Sequence, residues 1–170
     1  MWFCSNSALA HTGAFQEYST HEESELGHTP EILTDEQAAT LGTGLITAGV
    51  ALFKTLELPF DTDQSVQPSS KPDSKNEPPA TAPWILIWGG AGITGIYLIQ
   101  LACLLGYRVI CAASPVNHGY VKSLGAEVVL DRWSERDHLL EMIRKATNDD
   151  VSRMALIKIK CSQANNHCDR

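Results

Sequence analysis

Residues Trp84 to Gly95 read W-I-L-I-W-G-G-A-G-I-T-G, an apolar run that ends in Gly90-x-Gly92-x-x-Gly95. No other segment limits the fold so sharply. Five successive apolar side chains without polar alternation suit a parallel strand covered on both faces. Gly90 permits a tight turn out of the strand, Gly92 removes a Cβ that would hold the backbone away from a pyrophosphate, and Gly95 lets the next helix lie close to the sheet. Open amides and the positive end of the helix dipole then meet the anion. Glycine clusters also mark ordinary turns, so the neighbours decide between the two readings. They supply an amphipathic helix from Ile96 to Leu105, Gly106 as its C-cap and a second strand from Arg108 to Ala112. That context predicts a dinucleotide-phosphate turn and a redox role.

The kind of dinucleotide follows from a missing acid. Sites for the unphosphorylated cofactor usually carry Asp or Glu at the end of the second strand, on the ribose 2′-hydroxyl. No acid occurs between Ala91 and Ala126, and the strand ends instead at Ala113-Ser114-Pro115-Val116-Asn117. Ser114 and Asn117 can hydrogen-bond a 2′-phosphate, and Arg108, Lys122 and Arg132 are the nearest cations in sequence. The expectation is NADPH. The competing reading makes Ser114 the start of a plain Ser-Pro turn.

Composition excludes several other classes. A net charge of −7 over 170 residues, with no dense basic run, argues against nucleic-acid partners. No apolar stretch reaches the roughly 20 residues that span a bilayer, and residues 1 to 10 lack a basic segment followed by an apolar core. A soluble protein without membrane partners is expected. The five cysteines are odd in number and scattered, which suits reduced, packed thiols and a cytoplasmic setting.

Along the chain, Gly13 to Tyr18 reads as a short alternating strand. Thr34 with Gln37 forms a capping box, and helix is expected from Glu36 to Leu56, broken near Gly42-Thr43-Gly44. Residues from Pro59 to Pro83, with Pro68, Pro72, Pro78 and Pro79 among polar residues, read as a flexible insertion. Beyond the fingerprint, a short helix from Tyr120 to Leu124 closes at Gly125, a strand spans Val128 to Leu130, and Ser134 with Asp137 opens a helix to Ala146. Met154 to Ile159 offers one more strand. The order from Trp84 to Thr147 is half of a doubly wound α/β sheet, a partial Rossmann fold.

These segments carry a resemblance. G-A-F-x-E-Y, T-x-x-Q-A-A-x-L with Thr47-Ala48, I-L-I-W-G-G-A-G-I-T-G, L-G-Y-R-V-I and S-L-G-A-E together are similar to the medium-chain dehydrogenase/reductase superfamily. W-G-G at the strand end, S-P-x-N after the second strand and S-L-G-A-E with Asp131 most resemble fungal trans-acting enoyl reductases that partner polyketide synthases. The resemblance implies that Ala91, Gly92, Ile93 and Thr94 wrap the phosphates and that Ser114, Pro115, Val116 and Asn117 line the 2′-phosphate pocket. It further places Thr47 near the nicotinamide. Relatives often carry an aromatic residue where this chain has Arg132, which either serves the phosphate by charge or is a solvated loop cation. The implied layout is a GroES-like remnant over 1–33, linking helices over 34–58, the insertion over 59–83, the NADP-binding Rossmann half over 84–150 and an irregular tail over 151–170.

Zinc chemistry needs three or four ligands at short spacings. His11, His21 and His28 are dispersed, and Cys161, His167 and Cys168 form only a loose tail cluster, so no metal is expected. The resemblance implies hydride transfer to the β-carbon of an α,β-unsaturated acyl thioester, including one held on a carrier protein. No proton donor is assigned: Tyr18, Thr47, Tyr97, Tyr107 and His118 are all capable. Members of this type are about twice as long, so the chain reads as shortened at both ends, with the oligomeric state open between monomer and homodimer. Three readings stand: a working reductase, of this or another zinc-free quinone or alkene type; a non-catalytic nucleotide-binding module; and a remnant without a stable fold.

Overall fold

The computed structural model describes residues 2–3, 17–58, 82–149 and 154–158. Its centre is a four-stranded parallel sheet of β3 (Trp84–Trp88), β4 (Arg108–Ala113), β5 (Val128–Asp131) and β6 (Met154–Lys158), ordered β5-β4-β3-β6. The fingerprint strand is therefore internal, with Trp84 to Trp88 opposite Arg108 to Ala112 on one side and opposite Met154 to Lys158 on the other. The remaining elements are the short pair β1 (Trp2–Phe3) and β2 (Leu26–Gly27), then α1 (Asp35–Ala39), α2 (Gly42–Gly49), α3 (Ile93–Leu104), α4 (His118–Ser123) and α5 (Arg136–Thr147).

Alternation along the internal strands explains why they read as unbroken apolar runs. Ile85, Ile87, Val109, Cys111 and Ala113 face one core, built with Leu52, Leu98, Ile99, Ala102 and Val121. Trp84, Leu86, Ile110, Ala112 and Leu130 face a second core with Leu139 and Ile143 of α5. Each fully buried Ile or Leu contributes roughly 1.5–3 kcal/mol, so both faces must be apolar. The partial Rossmann class is borne out.

Several expected boundaries move. The capping box at Thr34 forms in full, with Gln37 N donating to Thr34 Oγ1 and Thr34 N donating to Gln37 Oε1. The helical break then falls at Thr40-Leu41, not at Gly42-Thr43-Gly44, which lie inside α2. Gly44 is small because α3 lies against it: a Cβ there would stand 2.8 Å from Ile93 Cγ1. A π-helical stretch, Val50–Thr55, ends the segment around the buried Leu52. Helix α5 begins at Arg136 with Glu135 at its N-cap and no side-chain cap bond, so Ser134 sits one residue ahead of the cap, its amide donating to Asp131 O. The expected strand near Tyr18 lies mostly outside the described residues, and Glu17 and Tyr18 are not in a strand. Of the expected insertion, residues 59–81 lie outside the described residues, as does the tail from 159 onward.

Candidate dinucleotide-binding site

The turn after β3 is held by two amides on one carbonyl. Gly89 N and Gly90 N both donate to Ala112 O, at 3.0 and 3.2 Å, which folds the chain over the end of β4. The left-handed residue is Gly89, with φ 92°, and not Gly90 as the fingerprint suggested. Gly90 is required for a different reason: its Cβ would stand 2.1 Å from Cys111 Sγ. Burial pushes that thiol up to about 11, against a hydrogen bond from the Gly90 backbone. Cys111 is thus a packed, protonated floor beneath the turn.

Gly95 is confined by backbone on every side. A Cβ would meet Gly89 O at 2.5 Å and Gly90 Cα at 2.6 Å, so α3 and the turn touch directly. Helix α3 begins at Ile93, a turn earlier than expected, and Gly95 falls in its first turn. Gly92 is different. It is exposed, caps α3 at φ −78°, and its Cβ would find only Gly89 O at an ordinary 3.5 Å. With no side-chain cap on α3, the amides of Ile93, Thr94 and Gly95 have no acceptor within the helix. Exposed Gly92 and Ile93 and half-buried Ala91 and Thr94 surround this opening. The turn therefore fits a diphosphate: Gly89, Gly90 and Gly92 spend their amides within the fold, which leaves those of Ile93, Thr94 and Gly95 at the head of α3 for an anion.

The other predicted residues lie on the same carboxyl edge of the sheet. Ser114, Pro115, Val116 and Asn117 form a turn closed by Asn117 N on Ser114 O at 2.9 Å, with Val116 88% exposed. Arg132 N and His118 Nε2 both reach Ala113 O, at 3.1 and 3.2 Å, so the loops after β4 and β5 are tied to one carbonyl. Arg132 is thereby placed beside Ser114. Its guanidinium lies 4.2 Å from the centroid of Trp133, whose ring is about half exposed. Asp131 is opposite Ala113 in the sheet register, an acid that counting along the second strand alone does not find. Its Oδ1 accepts from Trp133 N at 3.0 Å and is used within its own turn.

The remaining candidates lie away from this turn. Arg108 stands at the opposite end of β4, ion-paired with Glu127 and stacked 3.9 Å over Trp84, which removes it as a phosphate ligand. Lys122 is exposed on α4. Thr47 lies on the exposed side of α2, one turn beyond the Gly44 contact with α3. Of the capable proton donors, Tyr97 Oη bonds Thr40 O at 3.2 Å, His118 is held on Ala113 O, Tyr107 packs on the first core and Tyr18 is fully outside it. Among the described residues no group of three or more His, Cys, Asp or Glu is placed to hold a metal ion, and no helix is long and apolar enough to cross a membrane. The cluster of Cys161, His167 and Cys168 lies outside the described residues.

Similarity to known proteins agrees with this geometry. A trans-enoyl reductase of Cochliobolus carbonum is 34% identical over 167 residues, 97% of this chain and 50% of that protein. A zinc-type alcohol dehydrogenase-like protein of Schizosaccharomyces pombe is 36% identical over 138 residues, 81% of this chain and 36% of that protein. A mycobacterial protein solved with NADPH superposes with a TM-score of 0.52 at 27% identity, covering 74% of this chain and 32% of that one. The chain belongs to the medium-chain dehydrogenase/reductase superfamily. No family model matches it. The chain spans between about a third and a half of the length of these superfamily relatives.

Proposed function

We propose that this protein is an NADPH-dependent reductase of a carbon–carbon double bond, acting on an α,β-unsaturated acyl thioester in the manner of a trans-enoyl reductase. The observation that carries this reading is the exposed turn at Gly92 and Ile93, open to an anion beside the acid-free Ser114 to Asn117 turn at the end of β4. Ala91, Gly92, Ile93 and Thr94 would hold the diphosphate through their backbone, with Gly90 and Gly95 shaping the turn. Ser114, Pro115, Val116, Asn117 and Arg132 would receive the 2′-phosphate, and Thr47 would face the nicotinamide. When bound, the dinucleotide supplies hydride chemistry, while the chain supplies orientation and charge. Fungal relatives named trans-enoyl reductases support this reaction class, and we take the substrate to be a polyketide thioester carried by a synthase. We read residues 1–33 as part of a GroES-like region, 34–58 as linking helices and 84–150 as the cofactor-binding half. Reduced, packed Cys103 and Cys111 suit a cytoplasmic protein.

The direct test is NADPH consumption by the purified chain with crotonyl or longer enoyl thioesters. Turnover that depends on the thioester supports the reading. Tight NADPH binding with no turnover on any enoyl thioester would replace it with a nucleotide-binding module.

A further inference from the structure

A groove of about 400 Å³ lies on the sheet face opposite α3, between the carboxyl end of β3 and the start of α5. Its floor is apolar, with Leu86 and Trp88 from the sheet and Leu139 from the helix. Its polar lining is Arg132, Ser134 and Arg136. Trp88 immediately precedes the Gly89 turn, and Arg132 is tied to Ala113, so the groove opens on the edge that carries the phosphate turn.

Arg136 is out of place by the usual electrostatics of a helix. It is the first residue of α5, where the dipole is positive and a cation is disfavoured. The ion pair found among the described residues, Arg108 with Glu127, is at the other end of the sheet. Asp131, next to Arg132 in sequence, accepts Trp133 N at Oδ1, and Glu135 and Asp137 flank Arg136 at the head of the helix. Two arginines thus line one groove together with Trp88, residue types suited to a dianionic phosphate attached to a planar base.

We infer that Arg136 is a specificity-determining residue for the adenosine 2′-phosphate, gripping it together with Arg132 while the groove beside Trp88 receives the adenosine. This rests on the NADPH reading above and adds a ligand that the sequence pattern after β4 does not contain. Selection of the phosphorylated cofactor would then come from two loops, with the Ser114 turn offering hydrogen bonds and the loop into α5 offering charge.

The test is equilibrium binding of NADPH, NADH and 2′,5′-ADP to the full chain and to Arg136→Gln and Arg136→Lys, with thermal unfolding as the folding control. Arg136 is exposed, so both variants should melt as the parent does. The expected result is about a tenfold loss of NADPH and 2′,5′-ADP affinity in Arg136→Gln, a smaller loss in Arg136→Lys, and NADH unchanged. NADPH binding equal to the parent in Arg136→Gln would overturn the inference and leave the cofactor reading standing. Parent protein that binds neither NADPH nor 2′,5′-ADP would overturn both.

Discussion

The two ends of the glycine fingerprint differ from its middle. At Gly90 and Gly95 an added Cβ would collide with Cys111 Sγ or with the backbone of Gly89 and Gly90, so these glycines are demanded by the fold itself. At Gly92 an added Cβ would meet only Gly89 O at 3.5 Å, so the chain's own packing does not explain the residue. A motif that looks uniform in sequence therefore divides into two glycines that packing demands and one that it does not. Gly90 and Gly95 should be read out in stability, and Gly92 in binding.

The largest effect is expected at Gly95. Gly95→Ala sets a Cβ against main chain that has no rotamer to yield, and should cost about 3 kcal/mol, seen as a lowered urea midpoint. Gly90→Ala should cost about 2 kcal/mol, because its main obstacle is a side chain. Adding Cys111→Ala removes that sulfur and should restore much of the loss, which Cys111→Ala alone would not predict. If the pair were no more stable than Gly90→Ala, the packing account of Gly90 would be wrong. Gly92→Ala should cost under about 1 kcal/mol, the difference between Gly and Ala at a helix N-cap.

Cys111 sharpens the same contrast through pH. Its folded pKa is raised to about 11 from the usual value of 9.0 for a free thiol. Below pH 9 the thiol is neutral in both states and the stabilisation is complete. Between pH 9 and 11 only the unfolded thiol ionises, so stability falls with rising pH and levels off above the folded value. Replacement by Ala should flatten that part of the stability profile, and alkylation of Cys111 at pH 8 should await unfolding.

The strand, the turn and the helix after it were legible because each is dictated locally: five apolar residues in a row, then glycines that no other residue type replaces. The improvised strand from Met154 was legible for the same reason, and Met154–Lys158 pairs with β3 along its whole length. What escaped sequence reading depends on tertiary neighbours. Gly89 and Gly90 are chemically identical, and only the double donation to Ala112 O decides which takes the left-handed turn. Ser134 resembles a cap, but the turn after β5 sets the helix start so that Glu135 takes the N-cap position. Asp131 and Arg136 reach the carboxyl edge of the sheet through sheet order and helix start, which no spacing along the second strand encodes. The one available signal for Arg136 was a cation at the head of a helix, where a carboxylate is favoured.

The central claim is that Gly92 keeps an amide turn open for a diphosphate. Calorimetric titration of NADPH into the parent and Gly92→Ala tests it most directly. The account predicts that affinity falls by at least about tenfold, or about 1.4 kcal/mol, while the melting profile stays nearly unchanged. A Gly92→Ala protein that melts like the parent and binds NADPH just as tightly would contradict it.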